Sequence, residues 1–107
     1  MDNTITSTSN DENKIWEVSL NGEIDIYNSN KVKEYLSNLL EENKYNIEID
    51  CSNLNYIDST GLSSLISTLK KVKTFNGNIS LLNLNSNISR IFTITNLNKI
   101  FDIKEAE

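Results

Sequence analysis

The sequence contains no histidine and only one cysteine, and these two gaps remove most self-contained chemistry. Without histidine there is no Ser-His or Cys-His nucleophile activation and no His-based metal site. Cys51 alone can form neither an intrachain disulfide nor a C-x-x-C pair. Its place at the end of an apolar alternation reads as a packed core thiol. No G-x-x-x-x-G-K-[ST] or G-x-G-x-x-G occurs, so no motif argues for a phosphate-cradling loop. No apolar run approaches the ~18 residues of a spanning helix, and the polar opening "MDNTITSTSNDEN" has no signal-peptide hydrophobic region. Positive charge is scarce too: 10 Lys and Arg against 15 Asp and Glu give a net charge of −5. Nucleic acid and anionic membrane surfaces both call for a basic face, so neither is an expected partner. The expectation is a cytoplasmic protein that is not an enzyme and carries no cofactor and no metal.

What is present describes a single small globular domain. The chain has 107 residues, 37% hydrophobic and 23% charged. A domain of that length buries roughly 65% of its unfolded surface and needs no disulfide or metal staple. The whole span 1–107 reads as one domain, with residues 1–3 and 104–107 as frayed tails.

Periodicity supplies the elements. "TITSTS" (4–9) suits an edge strand, and "KIWEVSL" (14–20) alternates apolar and polar residues, so the two predict a hairpin around "NDEN". "NGEID" follows as a turn, with Asn21-Gly22 suited to positive φ. Val32, Tyr35, Leu36, Leu39 and Leu40 make one apolar helix stripe over 29–42, with Asn28 or Ser29 as N-cap. Ile47, Ile49 and Cys51 alternate as a strand. Leu62, Leu65, Ile66, Leu69, Val72 and Phe75 return to helical spacing, and Lys70, Lys71 and Lys73 read as a solvated face suited to the helix C-terminus. "FNGN" stops that helix, and "ISLLNL" (79–84) is a strand. A third helix over 87–97 turns Ile88, Ile91, Phe92 and Ile94 or Thr95 inward, and "KIFDI" (99–103) closes the chain as a strand. This order predicts an α/β fold: a mostly parallel four- to five-stranded sheet with an N-terminal hairpin strand and about three helices packed mainly on one face.

One stretch stands between a strand and a helix, "YIDSTGLSSLI" (56–66). Its bland reading is a helix start, with Asp58 or Ser59 capping free N–H groups and Gly61 allowing close approach. A second reading notes the position. Ser59 lies at the carboxyl end of a parallel strand, the rim where ligands and partners bind in open α/β sheets. Asp25 and Tyr27, after another strand of the same direction, should reach that rim. Hydroxyl, carboxylate and glycine without a base suit being recognised or modified. Thr60 is the nearest rival acceptor, while Ser63 and Ser64 read as solvent-facing helix positions.

"LNGEIDIYNSNKVKEYL" and "IEIDCSNLNYIDSTGLSSLISTLKKVKTFNGNISLLNLNSNISRIFTITNLNKIFDI" together resemble the anti-sigma factor antagonists of the STAS domain group. The likeness covers roughly residues 15–103. Its specific elements are G-E-[IL]-D at 22–25 and D-S-[ST]-G-L at 58–62, strong in this order and spacing. The resemblance implies phosphorylation at Ser59 by an anti-sigma factor that is itself a serine kinase, and a serine phosphatase that resets it. It implies a partner-binding rim of Asp25, Tyr27, Asn28, Asp58, Thr60, Gly61 and Leu62, on a monomer or weak dimer. Three departures accompany it. Ser63 stands where many relatives have a second glycine, "YNSNKV" replaces the usual Thr-Ala after G-E-L-D, and the sequence ends at "KEAE" where many relatives add a helix. STAS-like domains also serve as unphosphorylated scaffold or sensor subunits in signalling and transport complexes, which is the alternative the resemblance leaves open.

Overall fold

The alternation in the first quarter of the chain folds as a hairpin. Residues Ile5–Asn10 (β1) and Ile15–Ile24 (β2) pair antiparallel, with Ile5 opposite Leu20 and Asn10 opposite Ile15. The structure is a computed structural model that describes residues 3–104; the remainder of the two expected tails lies outside the described residues. After β2 come α1 (Ser29–Glu42), β3 (Asn46–Ile57), α2 (Ser59–Lys73), β4 (Ile79–Leu82), α3 (Ser86–Ile94), a 3-10 turn at Leu97–Lys99 and β5 (Asp102–Lys104). The strands lie side by side in chain order, and every pairing after the hairpin is parallel.

That order decides where the helices go. From β2 to β5 each crossover steps one place in the same direction. Crossovers between parallel strands are right-handed, so successive steps one way put their helices on one face of the sheet. The strands obey. Trp16, Val18 and Leu20 of β2, Ile47, Ile49 and Cys51 of β3, and Ile79 and Leu81 of β4 are buried, while the alternating Glu17, Ser19, Glu48 and Asp50 stay at least partly exposed. Val32, Leu36, Leu39 and Leu40 of α1 and Leu65, Leu69 and Val72 of α2 close the core from above. From α3, Ile88 and Phe92 join them, Phe92 meeting Phe101 edge-on at 5.7 Å. Removing each such side chain from water contributes about 1.5–3 kcal/mol.

Four expectations need correction. The "NGEID" turn is strand as far as Ile24, and β3 runs six residues past Cys51. The register slips between Ser19 and Asn21 and again between Gly22 and Glu23, each time placing an extra residue on β3. Such bulges break strict alternation. Buried positions on β3 therefore jump from Cys51 to Leu54 to Ile57, a spacing that hides a strand. Gly22, at φ 78°, supplies the one left-handed backbone position in β2. The third helix ends at Ile94, whose side chain is 71% exposed, and neither Ile94 nor Thr95 turns inward. There Asn96 adopts φ 62° and reverses the chain, and the Thr95 hydroxyl donates back to the Ile91 carbonyl. Finally, residues 97–99 coil, so the last strand begins only at Asp102.

Cys51 sits in the core as expected. Burial, with the neighbouring Asp50 charge adding to it, pushes the thiol up to about 12. The thiol is protonated in both states below its ordinary value of 9.0. Above that the unfolded chain ionises first, so this group's stabilising effect is present below pH 9 and lost as pH rises toward 12. At pH 8, an alkylating reagent is expected to label native Cys51 at least about a thousandfold more slowly than the unfolded chain, because access requires opening the core. Equal rates in native buffer and in denaturant would contradict this burial.

Candidate functional site

The register of β2 and β3 builds the rim. Ile24 and Ile57 are neighbours across the parallel ladder, so the chain leaves both strands at adjacent points, at Asp25 and Asp58. The two exits are tied together. The Asp58 N–H donates to the Ile24 carbonyl at 3.1 Å.

Asp58 is the N-cap of α2. Its Oδ1 accepts from the Thr60 N–H at 2.9 Å, the Gly61 N–H at 3.0 Å and the Thr60 hydroxyl at 2.6 Å. These donors, the Thr60 hydroxyl first among them, hold the Asp58 carboxyl below its usual range. A carboxylate so well satisfied is a weak base toward its neighbour Ser59. Replacing the cap by alanine is expected to lower the melting temperature at neutral pH by roughly 4–8 °C, the scale of a lost N-cap in a small domain. Since the folded group titrates below the unfolded one, the benefit is present above the ordinary value of 3.8 and lost as pH falls further. Melting curves of wild type and Asp58→Ala should therefore draw together as pH falls below 3.8. A gap that widened in acid would contradict the capping geometry.

The β2–α1 turn is shaped by two polar side chains. The Tyr27 N–H donates to Asp25 Oδ1 at 2.9 Å, and the Asn28 and Ser29 N–H groups donate to the Asp25 carbonyl. Asn28 accepts from the Asp25 N–H at 2.9 Å and donates to the Glu23 carbonyl at 2.7 Å, so it locks the turn and its side chain does not cap α1. This lock drives two large side chains outward: Ile26 is 68% exposed and Tyr27 89%. Tyr56, near the end of β3, is half exposed.

Between these features lies Ser59. It is exposed, and among the described residues its hydroxyl has no hydrogen-bond partner. The rival Thr60 hydroxyl is held by Asp58. Leu62 is packed inward at 9% exposure. Ser64 corrects the expectation of a solvent-facing position: it is 4% exposed and donates to the Ser29 carbonyl of α1 at 2.9 Å. A side chain this small lets the two helices close on each other. Around this contact lies an open groove of about 310 Å³, lined by Ser29, Asn30 and Lys33 from α1 and by Ser59, Thr60 and Ser63 from α2.

The family model of the STAS domain matches residues 8–107. The chain belongs to the STAS domain family. Among its relatives, the anti-sigma-B factor antagonist of Staphylococcus epidermidis is 30% identical over 70 residues, which is 65% of this chain and 65% of that protein. The matched segment thus spans just under two thirds of that relative's length. The fold is also that of a Thermotoga maritima protein assigned as an anti-sigma factor antagonist, with a TM-score of 0.85 and 23% identity, covering 96% of this chain and 86% of the other. SpoIIAA, a Bacillus cell fate determinant solved in its phosphorylated form, superposes with a TM-score of 0.75 and 16% identity, covering 96% and 91%.

Within this STAS domain, the rim gathers Asp25, Tyr27, Asn28, Asp58, Ser59, Thr60 and Gly61 at neighbouring strand exits. Sequence reasoning missed Ile26 and Lys33. Ile26 continues the apolar alternation of β2 on paper; only the end of the strand at Ile24 turns it outward. Lys33 carried a signal that could have found it. Asn30, Lys33 and Ser37 recur at intervals of three and four, the polar flank of α1 that faces α2, where Ser37 takes a hydrogen bond from Lys71. Among the described residues no cluster of Cys, Asp and Glu could hold a metal ion. No described helix is long and apolar enough to cross a membrane.

Proposed function

We propose that this STAS domain is an anti-sigma factor antagonist, and that phosphorylation of Ser59 switches it off. The observation that carries this reading is the state of the rim hydroxyls. Ser59 is exposed and unengaged on a capped helix start, while Thr60 beside it is held by Asp58. The name of the staphylococcal relative supports the antagonist role, and the phosphorylated form of SpoIIAA supports a modifiable member of the fold.

Unmodified, the rim docks on an anti-sigma factor kinase and frees the sigma factor that the kinase was holding. Tyr27 is the protruding anchor, an aromatic of the kind that dominates interface energetics. Asp25, Asn28, Asp58, Thr60, Gly61 and the Leu62 backbone give the rim its shape. The kinase then transfers the γ-phosphoryl group of ATP. Ser59 Oγ bonds to phosphorus, the bond to the ADP oxygen breaks, and the hydroxyl proton passes to a base on the kinase, this chain having no histidine to receive it. The phosphate brings about −1.5 to −2 charges to a rim that already holds Asp25 and Asp58, and its desolvation opposes redocking. A serine phosphatase restores the hydroxyl. Adding the unmodified protein to a preformed complex of its cognate anti-sigma factor and sigma factor should release free sigma factor in a dose-dependent way. A complex that stays intact at saturating protein would overturn the antagonist reading.

A further inference from the structure

We infer that Lys33 is the internal counter-ion of phosphorylated Ser59, drawing the phosphate into the α1–α2 groove. The inference rests on Ser59 as the acceptor and adds where the phosphate goes once it is attached. The chain is acidic overall, with a net charge of −5, yet the groove beside Ser59 is lined by a lysine and no carboxylate. Its remaining polar lining is donor-rich: the Asn30 amide and the Ser63 hydroxyl flank the same space of about 310 Å³. The helix start itself offers little. The Thr60 and Gly61 N–H groups already donate to Asp58, and the Leu62 N–H to the Asp58 carbonyl. A phosphate with three acceptor oxygens is therefore repelled by Asp58 on its helix-cap side and attracted by Lys33 on its groove side. Asp25, in the neighbouring turn, adds to the repulsion.

The consequence is a phosphorylated state that partly neutralises itself and turns its charge sideways, along α1, instead of straight out of the rim. The phosphate's second ionisation, ordinarily near 6, reads this directly. Phosphoserine installed at position 59 by genetic-code expansion allows a phosphorus NMR titration of the intact chain without any kinase. The ionisation is expected about half a unit lower in wild type than in Lys33→Gln, the scale of one partly exposed ion pair. Lys33→Arg should keep the wild-type value, and 1 M salt should shrink the difference. Superimposable curves for wild type and Lys33→Gln would overturn the inference. So would an equal change in Lys31→Gln, a cation of the same helix outside the groove lining. Because the phosphate is installed synthetically, a kinase that ignores Ser59 would defeat the proposed switch and leave this titration readable.

Discussion

Under the proposed switch, the chain carrying phosphate on Ser59 is expected to bind the anti-sigma factor kinase at least about thirtyfold more weakly than the unmodified chain. In the proposed complex, docking the rim would bury the space around Ser59, and a dianion there would lose its water beside two carboxylates, Asp25 and Asp58. A penalty of ~3–4 kcal/mol is ordinary for an imperfectly paired charge at an interface, and each ~1.4 kcal/mol is a factor of ten. Lys33 offsets only part of it, because a groove-side ion pair on a partly exposed surface contributes under ~1 kcal/mol. Ser59→Ala, which removes a hydroxyl but adds no charge, should bind within a few-fold of wild type. Titration calorimetry of the three proteins against the kinase checks the series. Phosphorylated and unmodified chains binding equally would remove the switch.

Gly61 is the second position where a small change should matter. A Cβ there would stand 2.6 Å from Ile57 Cγ1, 2.9 Å from Ile24 Cγ2 and 3.1 Å from the Ile24 carbonyl oxygen. Both isoleucines are buried, at 2% and 0% exposure, so neither has room to swing away. The helix start must then back off from the ends of β2 and β3. Overpacking of this kind costs about 1–3 kcal/mol, and alanine recovers up to ~1 kcal/mol through its better helix propensity. Gly61→Ala is thus expected to lose about 1–2 kcal/mol and Gly61→Val, bulkier and with only a few tenths of such compensation, about 3 kcal/mol or more. Urea titrations should show falling midpoints with unchanged slopes. Ser63→Ala, two residues on and exposed, should stay within about 0.5 kcal/mol of wild type. Loss of stability at Gly61 also predicts loss of partner binding, since the same contact sets where Ser59 stands.

The fold was legible wherever one period held for a whole element. Helix α1 runs from Ser29 to Glu42 as Val32, Leu36, Leu39 and Leu40 predict. Strand β3 beyond Cys51 was not legible, because the two bulges give Cys51, Leu54 and Ile57 a spacing of three that belongs neither to strand nor to helix. At the site, residue types announced a cap and an exposed serine, but partner choice decided the roles. Asp58 and Asn28 have similar side chains at the starts of α2 and α1, yet only Asp58 caps its helix, because Asn28 finds the Asp25 N–H and the Glu23 carbonyl within reach. In the same way nothing in "STGLSS" says that Thr60 is engaged, Ser64 buried and Ser59 free. Thr60 is engaged because Asp58 turns back to cap α2, and Ser64 is buried because its face of α2 meets the Ser29 carbonyl of α1.

The most direct measurement is site mapping after incubation with the cognate anti-sigma factor kinase and ATP. Intact-mass and fragmentation spectra should show one added phosphate, on Ser59, in wild type and in Thr60→Ala, and none in Ser59→Ala. A phosphate on Thr60, or one still gained by Ser59→Ala, would contradict the account.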